Sequence, residues 1–371
     1  MKIGITGQNG FIGWHLSQTI KYFYPNDFQL ISFERVFFSN SDSLENFVLK
    51  CDCIVHLAGL NRAQKDQEVF DINININIAL KEALISANYR GQLLFASSSQ
   101  ENGDTLYGKS KKASRELLEE TINSLGGTFT GLIIPNVFGP FCKPNHNSFV
   151  ATFCSKILNN ETSEIISDTN VPLLYVENLV AKIIGLIGAS KGSLITIKSD
   201  LEVKVSDVLG LLNKFKTSYI DNNTIPSLPT SFELNMFNTF RSYINLEMRY
   251  PLLLLNHTDG RGAFSELIKT DIGGQFSYSN TLPGNTRGNH FHTRKIERFI
   301  VIGGKAKISL RKIGSTEVYE FLLDGENPSY VDMPIWYTHN ITNIGSSPLI
   351  TAFWINEPYN SEDADTYFEN V

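Results

Sequence analysis

Three histidines and a glutamate stand where one metal ion could use them all. In residues 284–304, GNTRGNHFHTRKIERFIVIGG, His290 and His292 lie two apart, Glu297 follows five further on, and Gly303-Gly304 marks a turn. Successive side chains on a strand face opposite ways, so His290 and His292 share one face. Residues 298–302 read as a second strand whose entrance carries Glu297 to the same point, and His339 in the run 333–343 is a fourth candidate. Three imidazoles and one carboxylate suit zinc or another divalent transition metal. Solvated histidines on a hairpin are the plain alternative.

A second constellation lies near the N-terminus. Tyr107 and Lys111, four apart, share one face of a helix. A phenol with a pKa near ~10 is a poor acid–base group at neutral pH until a nearby ammonium stabilises its ionised form. Lys111 supplies that charge and can bond a nicotinamide ribose, while a serine at the end of the preceding strand, 93–99, holds a substrate oxygen. Upstream, Gly7, Gly10 and Gly13 sit at a strand-to-helix turn, TGQNGFIG. Such glycines let a pyrophosphate reach backbone N–H groups at a helix N-terminus, so Gly7, Gln8, Asn9, Gly10, Phe11, Ile12 and Gly13 are candidate cofactor contacts. A merely structural loop is the bland reading.

The elements that must position these groups follow an α/β order. A strand at 28–33 ends at Glu34-Arg35, where a dinucleotide's ribose is read: an acid favours NAD, an arginine NADP, and both are present. The strand from Cys53 leads to Leu57, Ala58 and Gly59, whose edge lies against the cofactor. Asn73, Asn75 and Asn77 alternate with isoleucine as in a strand, yet the residues after them are strongly helical. We read them as the entry of a helix over about 70–87, with Asn75 turned towards the active site. Strand composition takes over near Met248, which divides the chain into residues 1–245 and 246–371. The expected fold is a Rossmann α/β domain followed by an all-β barrel.

A length of 371 residues allows two cores, and 42% hydrophobic with 19% charged residues is ordinary for a globular protein. A net charge of −6 gives no reason to expect nucleic acid or a membrane surface as partner. Cys51, Cys53, Cys142 and Cys154 show no metal spacing and suit a reducing compartment. With no long apolar run and no secretory signal, the expected location is the cytoplasm.

Glycine turn, serine-ended strand and Tyr-x3-Lys helix together resemble the extended short-chain dehydrogenase/reductase family, which acts mainly on nucleotide sugars. The resemblance implies that Tyr107 is the general acid, Lys111 its partner and Ser99 the third member, with Ser97 or Ser98 open because strand register is uncertain. The segment 134–140, IPNVFGP, is similar to the family's R-x-x-N-V-Y-G-P, which implies a sugar-nucleotide contact from Asn136 and, in the loop beyond, from Lys143, Asn147 and Ser148; Ile133 replaces the arginine.

The C-terminal spacing resembles the cupin family: Gly284, His290, His292, Glu297 and Gly304 fill its first motif, and Pro334, His339 and Asn343 its second. Trp336 stands where that family has glycine, and Gly325 lies too far upstream, so the local turn is in doubt although the ligand is not. Residues 258–266 and 287–290 resemble the dTDP-4-dehydrorhamnose epimerase branch, which implies that Arg261 and Arg287 bind a diphosphate. A 4-ketone acidifies the neighbouring C–H bonds, and a metal would stabilise the resulting charge. The base is unassigned; Tyr337 and Tyr278 are weak candidates.

The whole length resembles bifunctional capsular-polysaccharide enzymes of the CapF type, down to the ending Asp365-Thr-Tyr-Phe. That resemblance implies C3 epimerisation of a UDP-4-keto-6-deoxy-2-acetamido hexose, NADPH-dependent reduction at C4 to UDP-2-acetamido-2,6-dideoxy-L-talose, zinc, and a homodimer. Two rivals stay open: a reductase whose cupin is a metal-stapled dimerisation scaffold, and a non-catalytic sugar-nucleotide sensor.

Overall fold

Apolar runs alternate with amphipathic helices along the first half of the chain, and this pattern folds into a parallel sheet covered on both faces. The computed structural model describes the 371 residues except Asn147, Lys191, Leu255, Gly260, Arg261, Glu266, 271–273 and 358–359; for 256–259, 262–265, Lys269 and Gln275 it describes the backbone alone. The chain forms two compact units, Met1–Phe153 with Ile165–Val208, and Cys154–Glu164 with Leu209–Val371.

In the first unit the strands are β1 (Lys2–Thr6), β2 (Gln29–Ile31), β3 (Cys53–His56), β4 (Gln92–Ser98), β5 (Thr128–Ile134), β6 (Asn136–Phe138), β7 (Asn170–Tyr175), β8 (Ser193–Thr196) and β9 (Leu201–Lys204). The helices are α1 (Phe11–Phe23), α2 (Ser41–Leu49), α3 (Asp66–Ser86), α4 (Leu106–Leu125), α5 (Phe149–Leu158, shared with the second unit) and α6 (Val176–Leu186). All pairings in the sheet β2-β1-β3-β4-β5-β8 are parallel, and its order reverses between β1 and β3. In such sheets the ligand crevice opens at the carboxyl ends of the strands, at that reversal. One apolar cluster includes Ile3, Leu16, Val55 and Ile183, and the other Phe47, Ile54, Leu84 and Phe95. The Thr105 hydroxyl caps α4 by accepting from Gly108 N, and Gly126, at φ 77°, ends it.

The main segment of the second unit starts within α7 (Val205–Phe215), from Leu209 onward, and continues with α8 (Ser231–Arg241) and α9 (Leu246–Arg249). Its strands are β10 (Thr224–Ile225), β11 (Leu252–Leu253), β12 (Asn256–Asp259), β13 (Gly262–Ser265), β14 (Lys269–Thr270), β15 (Gln275–Thr281) and β16 (Thr286–Phe291). Then follow β17 (Glu297–Gly303), β18 (Lys305–Lys312), β19 (Val318–Asp324), β20 (Ser329–Met333), β21 (Tyr337–Asn343), β22 (Leu349–Ile355) and β23 (Tyr367–Phe368). Two five-stranded antiparallel sheets, β11-β20-β17-β22-β15 and β19-β18-β21-β16-β23, enclose a core that includes Val301, Ile308, Leu310, Met333 and Ile341. This is the expected all-β barrel of the cupin type.

The division at residue 245 follows composition, whereas the main segment of the second compact unit begins at Leu209. Side chains of the residues between explain the difference. Asp332 on β20, 1% exposed, takes a two-pronged ion pair from Arg298 at 2.7 and 3.1 Å and hydrogen bonds from the hydroxyls of Tyr219 and Tyr250. Arg298 also lies 3.9 Å over the Tyr330 ring, and Arg241 donates to Met333 O at 2.8 Å. Helical residues are thereby fastened to the outer face of β17 and β20. Removing one partner of a buried ion pair strands the other charge, so Asp332→Ala should cost this unit about 3–5 kcal/mol of unfolding free energy in urea titrations. A loss below about 1 kcal/mol would mean the pair only offsets its own desolvation.

Trp336 shows why its family's glycine is dispensable here. It adopts φ 59°, the left-handed conformation glycine takes without strain, and its ring is 1% exposed and stacked on Phe291 with centroids 5.3 Å apart. Burial of the indole offsets the backbone cost of about 1–3 kcal/mol.

Candidate active site and metal centre

The crevice of the first unit encloses about 670 Å³, a size suited to a small-molecule ligand. Gly7 (φ 77°) turns the chain out of β1, and a Cβ on Gly13 would stand 2.1 Å from Gly7 O, so only glycine lets α1 start this close. No side chain caps α1, and its N-terminal N–H groups remain directed at the crevice, an arrangement that favours an anion. Residues 7–13 all line the crevice, with Leu57, Ala58 and Gly59 opposite. Gln8 Nε2 donates to Phe33 O at 2.8 Å and ties the turn to the end of β2. Arg35 lines the same crevice, whereas Glu34 lines a separate groove.

At the end of β4 the three serines part ways. Ser97 turns its hydroxyl to Glu101, which also pairs with Arg115 Nε at 3.2 Å. Ser98 lines the crevice and hydrogen-bonds the Tyr107 hydroxyl. Ser99 is exposed in a 3-10 turn and, among the described residues, is not part of the lining. Because the strand stops one residue before Ser99, it is Ser98 whose hydroxyl stands beside Tyr107.

Asn75 is likewise displaced. On α3 the buried face runs Val69, Asn73, Asn77, Leu80, Leu84, which leaves Asn75 exposed on the other side. Asn73 instead joins the site: its side chain accepts from Leu60 N at 2.7 Å and donates to Leu60 O at 2.9 Å and Ser110 Oγ at 3.0 Å. Ser110 Oγ in turn donates to Tyr107 O at 2.7 Å. Asn136 lines the crevice; Lys143 is exposed and outside the lining, and Ser148 accepts from Ala151 N at 3.5 Å at the start of α5. Asn147 and Arg261 lie outside the described residues. His146, Gln100 and Arg62 line the crevice without any sequence motif to announce them.

Burial pushes the Tyr107 hydroxyl up to about 12, with the Ser98 hydrogen bond opposing, so the phenol holds its proton at neutral pH. Burial pushes the Lys111 ammonium down to about 8, and Glu101 pulls it back up. The charged form of Lys111 is thus present below about pH 8 and lost above it. If that charge serves turnover, kcat/KM for the nicotinamide cofactor should fall about tenfold per pH unit above that point. Lys111→Arg, whose charge persists, should remove that limb of the profile.

In the second unit His290 on β16 stands directly opposite His339 on β21. A bulge at Asn289 (φ 58°), between Gly288 and His290, shifts the register there. Glu297 opens β17, and Phe299 one turn of pleat beyond sets its ring against His339 at 5.8 Å. One ligand atom from each of His290, His292, Glu297 and His339 lies within 4.8 Å of the others. The Nε2 atoms of His292 and His339 are each 3.2 Å from Glu297 Oε2. His339 Nε2 meets the carboxylate off the direction of a hydrogen bond and, fully buried, has no other partner. A buried lone pair aimed at a shared point fits a metal ion, and the donor set fits zinc.

Burial and the facing His339 and His292 push the His290 imidazole down to about 4, so it is neutral, as a ligand must be. Burial alone would raise the Glu297 carboxyl, but the His292 and His339 imidazoles beside it hold it well below the usual range. Arg287 is exposed and donates to Thr281 Oγ1 at 2.9 Å and Asn280 O at 3.1 Å. Tyr278 is 68% exposed and Tyr337 packs against the barrel core.

Residues 3–193 match the NAD dependent epimerase/dehydratase family, and residues 257–367 match the polysaccharide biosynthesis C-terminal domain. Over 370 residues the chain is 32% identical to a UDP-2-acetamido-2,6-beta-L-arabino-hexul-4-ose reductase of Pseudomonas aeruginosa, covering 99% of this chain and 98% of that one. The crystal structure of the capsular polysaccharide assembling protein CapF from Staphylococcus aureus superposes with a TM-score of 0.61 at 35% identity, covering 100% of both chains. Over 58% of its length the chain also shares its fold with RMD from Pseudomonas aeruginosa (TM-score 0.52, 19% identity, 84% of that chain). No described helix is long and apolar enough to cross a membrane.

Proposed function

Because the chain belongs to the NAD dependent epimerase/dehydratase family and, over its full length, to the CapF type, we propose that it reduces a UDP-4-keto sugar in its first unit and epimerises the same sugar in its barrel. The observation that carries the reading is the placement of Ser98, Tyr107 and Lys111 around a dinucleotide-sized crevice. The substrate is a UDP-4-keto-6-deoxy-2-acetamido hexose, changed at C3 and then reduced at C4 to UDP-2-acetamido-2,6-dideoxy-L-talose.

Residues 7–13 would hold NADPH, which would supply the hydride. Ser98 holds the C4 oxygen, and the Tyr107 hydroxyl gives it a proton as negative charge develops there. The Lys111 ammonium then steadies the tyrosyl oxygen, and Asn73 with Ser110 holds the first turn of α4 in place. Asn136 faces the sugar nucleotide from the other wall. Arg35, placed in the crevice while Glu34 is not, supports NADPH over NADH. Arg35→Ala should raise KM for NADPH about 10- to 100-fold, the worth of a charged hydrogen bond, and leave KM for NADH within about twofold. Equal effects on both would remove the basis for the preference.

In the barrel, His290, His292, Glu297 and His339 would hold a divalent ion, zinc by donor set, with Arg287 and Arg261 at the diphosphate. Such an ion would supply positive charge that stabilises the enolate of the 4-ketone and so makes the hydrogen at C3 removable. A homodimer accompanies this reading: Phe276 and Tyr278 of the edge strand β15 are 54% and 68% exposed, apolar surface for a second copy to cover.

Incubating the 4-keto sugar with the protein in deuterated water, without NADPH, tests both halves. Deuterium gained at C3, followed by reduction once NADPH is added, is the expected result. Reduction without prior exchange would instead favour a barrel whose metal is structural, a reading consistent with four protein ligands around one point.

A further inference from the structure

The segment that ends the chain reaches the metal cluster from outside its motif. Asp365 is 2% exposed and adopts φ 41°, a left-handed conformation that aspartate tolerates better than most residues. Its backbone carbonyl accepts a hydrogen bond from His292 Nδ1. A carbonyl can only accept, so Nδ1 carries a hydrogen, and Nε2, 3.2 Å from Glu297 Oε2, is the nitrogen left to turn its lone pair to an ion. The carboxylate meanwhile accepts from Thr293 N and Thr293 Oγ1 through one oxygen, at 3.0 and 2.7 Å. Through the other it accepts from Arg294 N and Lys295 N, both at 3.0 Å. These are the consecutive amides of the turn between His292 and Glu297. One residue, some seventy positions downstream, thus fixes both the tautomer of one ligand and the spacing to the next.

We propose that Asp365 is a positioning residue of the metal centre: its carbonyl selects the His292 tautomer that presents Nε2 to the ion, and its carboxylate holds the turn that joins His292 to Glu297. The inference rests on the barrel binding a divalent ion. Partners behind metal ligands commonly contribute 10- to 100-fold in affinity. Coupling between two binding events is reciprocal, so an ion held more tightly by the docked tail must hold the tail more tightly in return.

Zinc affinity of the full chain is measured by competition with a chromophoric chelator for wild type, Asp365→Ala and Arg311→Ala. Arg311 grips the same tail further on, through Glu369 and Asn370, without touching the turn. Asp365→Ala should weaken zinc about 10- to 100-fold, and Arg311→Ala by less than about threefold. Equal losses in the two variants, or none in either, would overturn the proposal, the tail then being a general brace. In the wild type, amide exchange at residues 293–295 should slow on zinc loading, and unchanged exchange there overturns the proposal even if Asp365→Ala fails to fold. A wild type that takes up no zinc removes the metal centre itself, and the role of Asp365 with it.

Discussion

Tyr107→Phe should lower kcat for ketone reduction about 10²- to 10⁴-fold, the usual contribution of a positioned general acid. NADPH affinity, followed by cofactor fluorescence, should stay within about twofold, because the phenol is asked to serve the sugar oxygen rather than the dinucleotide. The substitution removes one oxygen and keeps the ring, so packing at the start of α4 survives; what is lost is the hydrogen bond with Ser98. The loss should appear in kcat and kcat/KM alike, the mark of an interaction made in the transition state. A variant retaining more than about a tenth of wild-type turnover would show that another group delivers the proton. A sensor with no chemistry would show no turnover in either protein.

Glu297→Gln should separate the two activities. The amide matches the carboxylate in shape but carries no charge, and it sets a donor or a weaker acceptor where His292 and His339 now point. Zinc binding should weaken by more than the 10- to 100-fold that distinguishes a supporting residue from a ligand. Deuterium exchange at C3 should fall below detection in the same protein, while an already epimerised ketone is still reduced at the wild-type rate. Persistence of exchange in zinc-free Glu297→Gln would exclude the ion from the epimerisation. Because Glu297 is buried with two imidazoles, thermal unfolding of the variant must be recorded alongside.

Short spacings were the legible part of both sites. Gly7, Gly10 and Gly13, the pair Tyr107 and Lys111, and the set His290, His292, Glu297 each act within a few residues of one another, so local pattern carries them. Positions that depend on register were harder. Alternating Asn and Ile satisfies a strand at 73, 75 and 77, but once the segment is helical the spacing Val69, Asn73, Asn77 decides which side chain is buried. That spacing was present in the sequence and could have named Asn73. For Ser97, Ser98 and Ser99 no local signal existed: Glu101 and Arg115 claim Ser97, and the end of β4 exposes Ser99. Residues 209–249 have the composition of the α/β unit, and contacts such as those of Tyr219 with Asp332 and Arg241 with Met333 show that they pack with the barrel. Asp365 stands far beyond the turn it serves, and sequence distance hid it.

Glu297 and Arg298 are neighbours on β17, and the pleat sends the first towards three imidazoles and the second towards Asp332. A slip of this strand by one residue would send each to the other face. Slipped one way, Arg298 takes the place of Glu297 and a guanidinium faces the histidines; slipped the other way, Glu297 takes the place of Arg298 and its carboxylate is driven against that of Asp332. Misaligned barrels are therefore penalised whichever way the strand moves, and the charges that serve the ion and the helices also proofread the folding of the sheet between them.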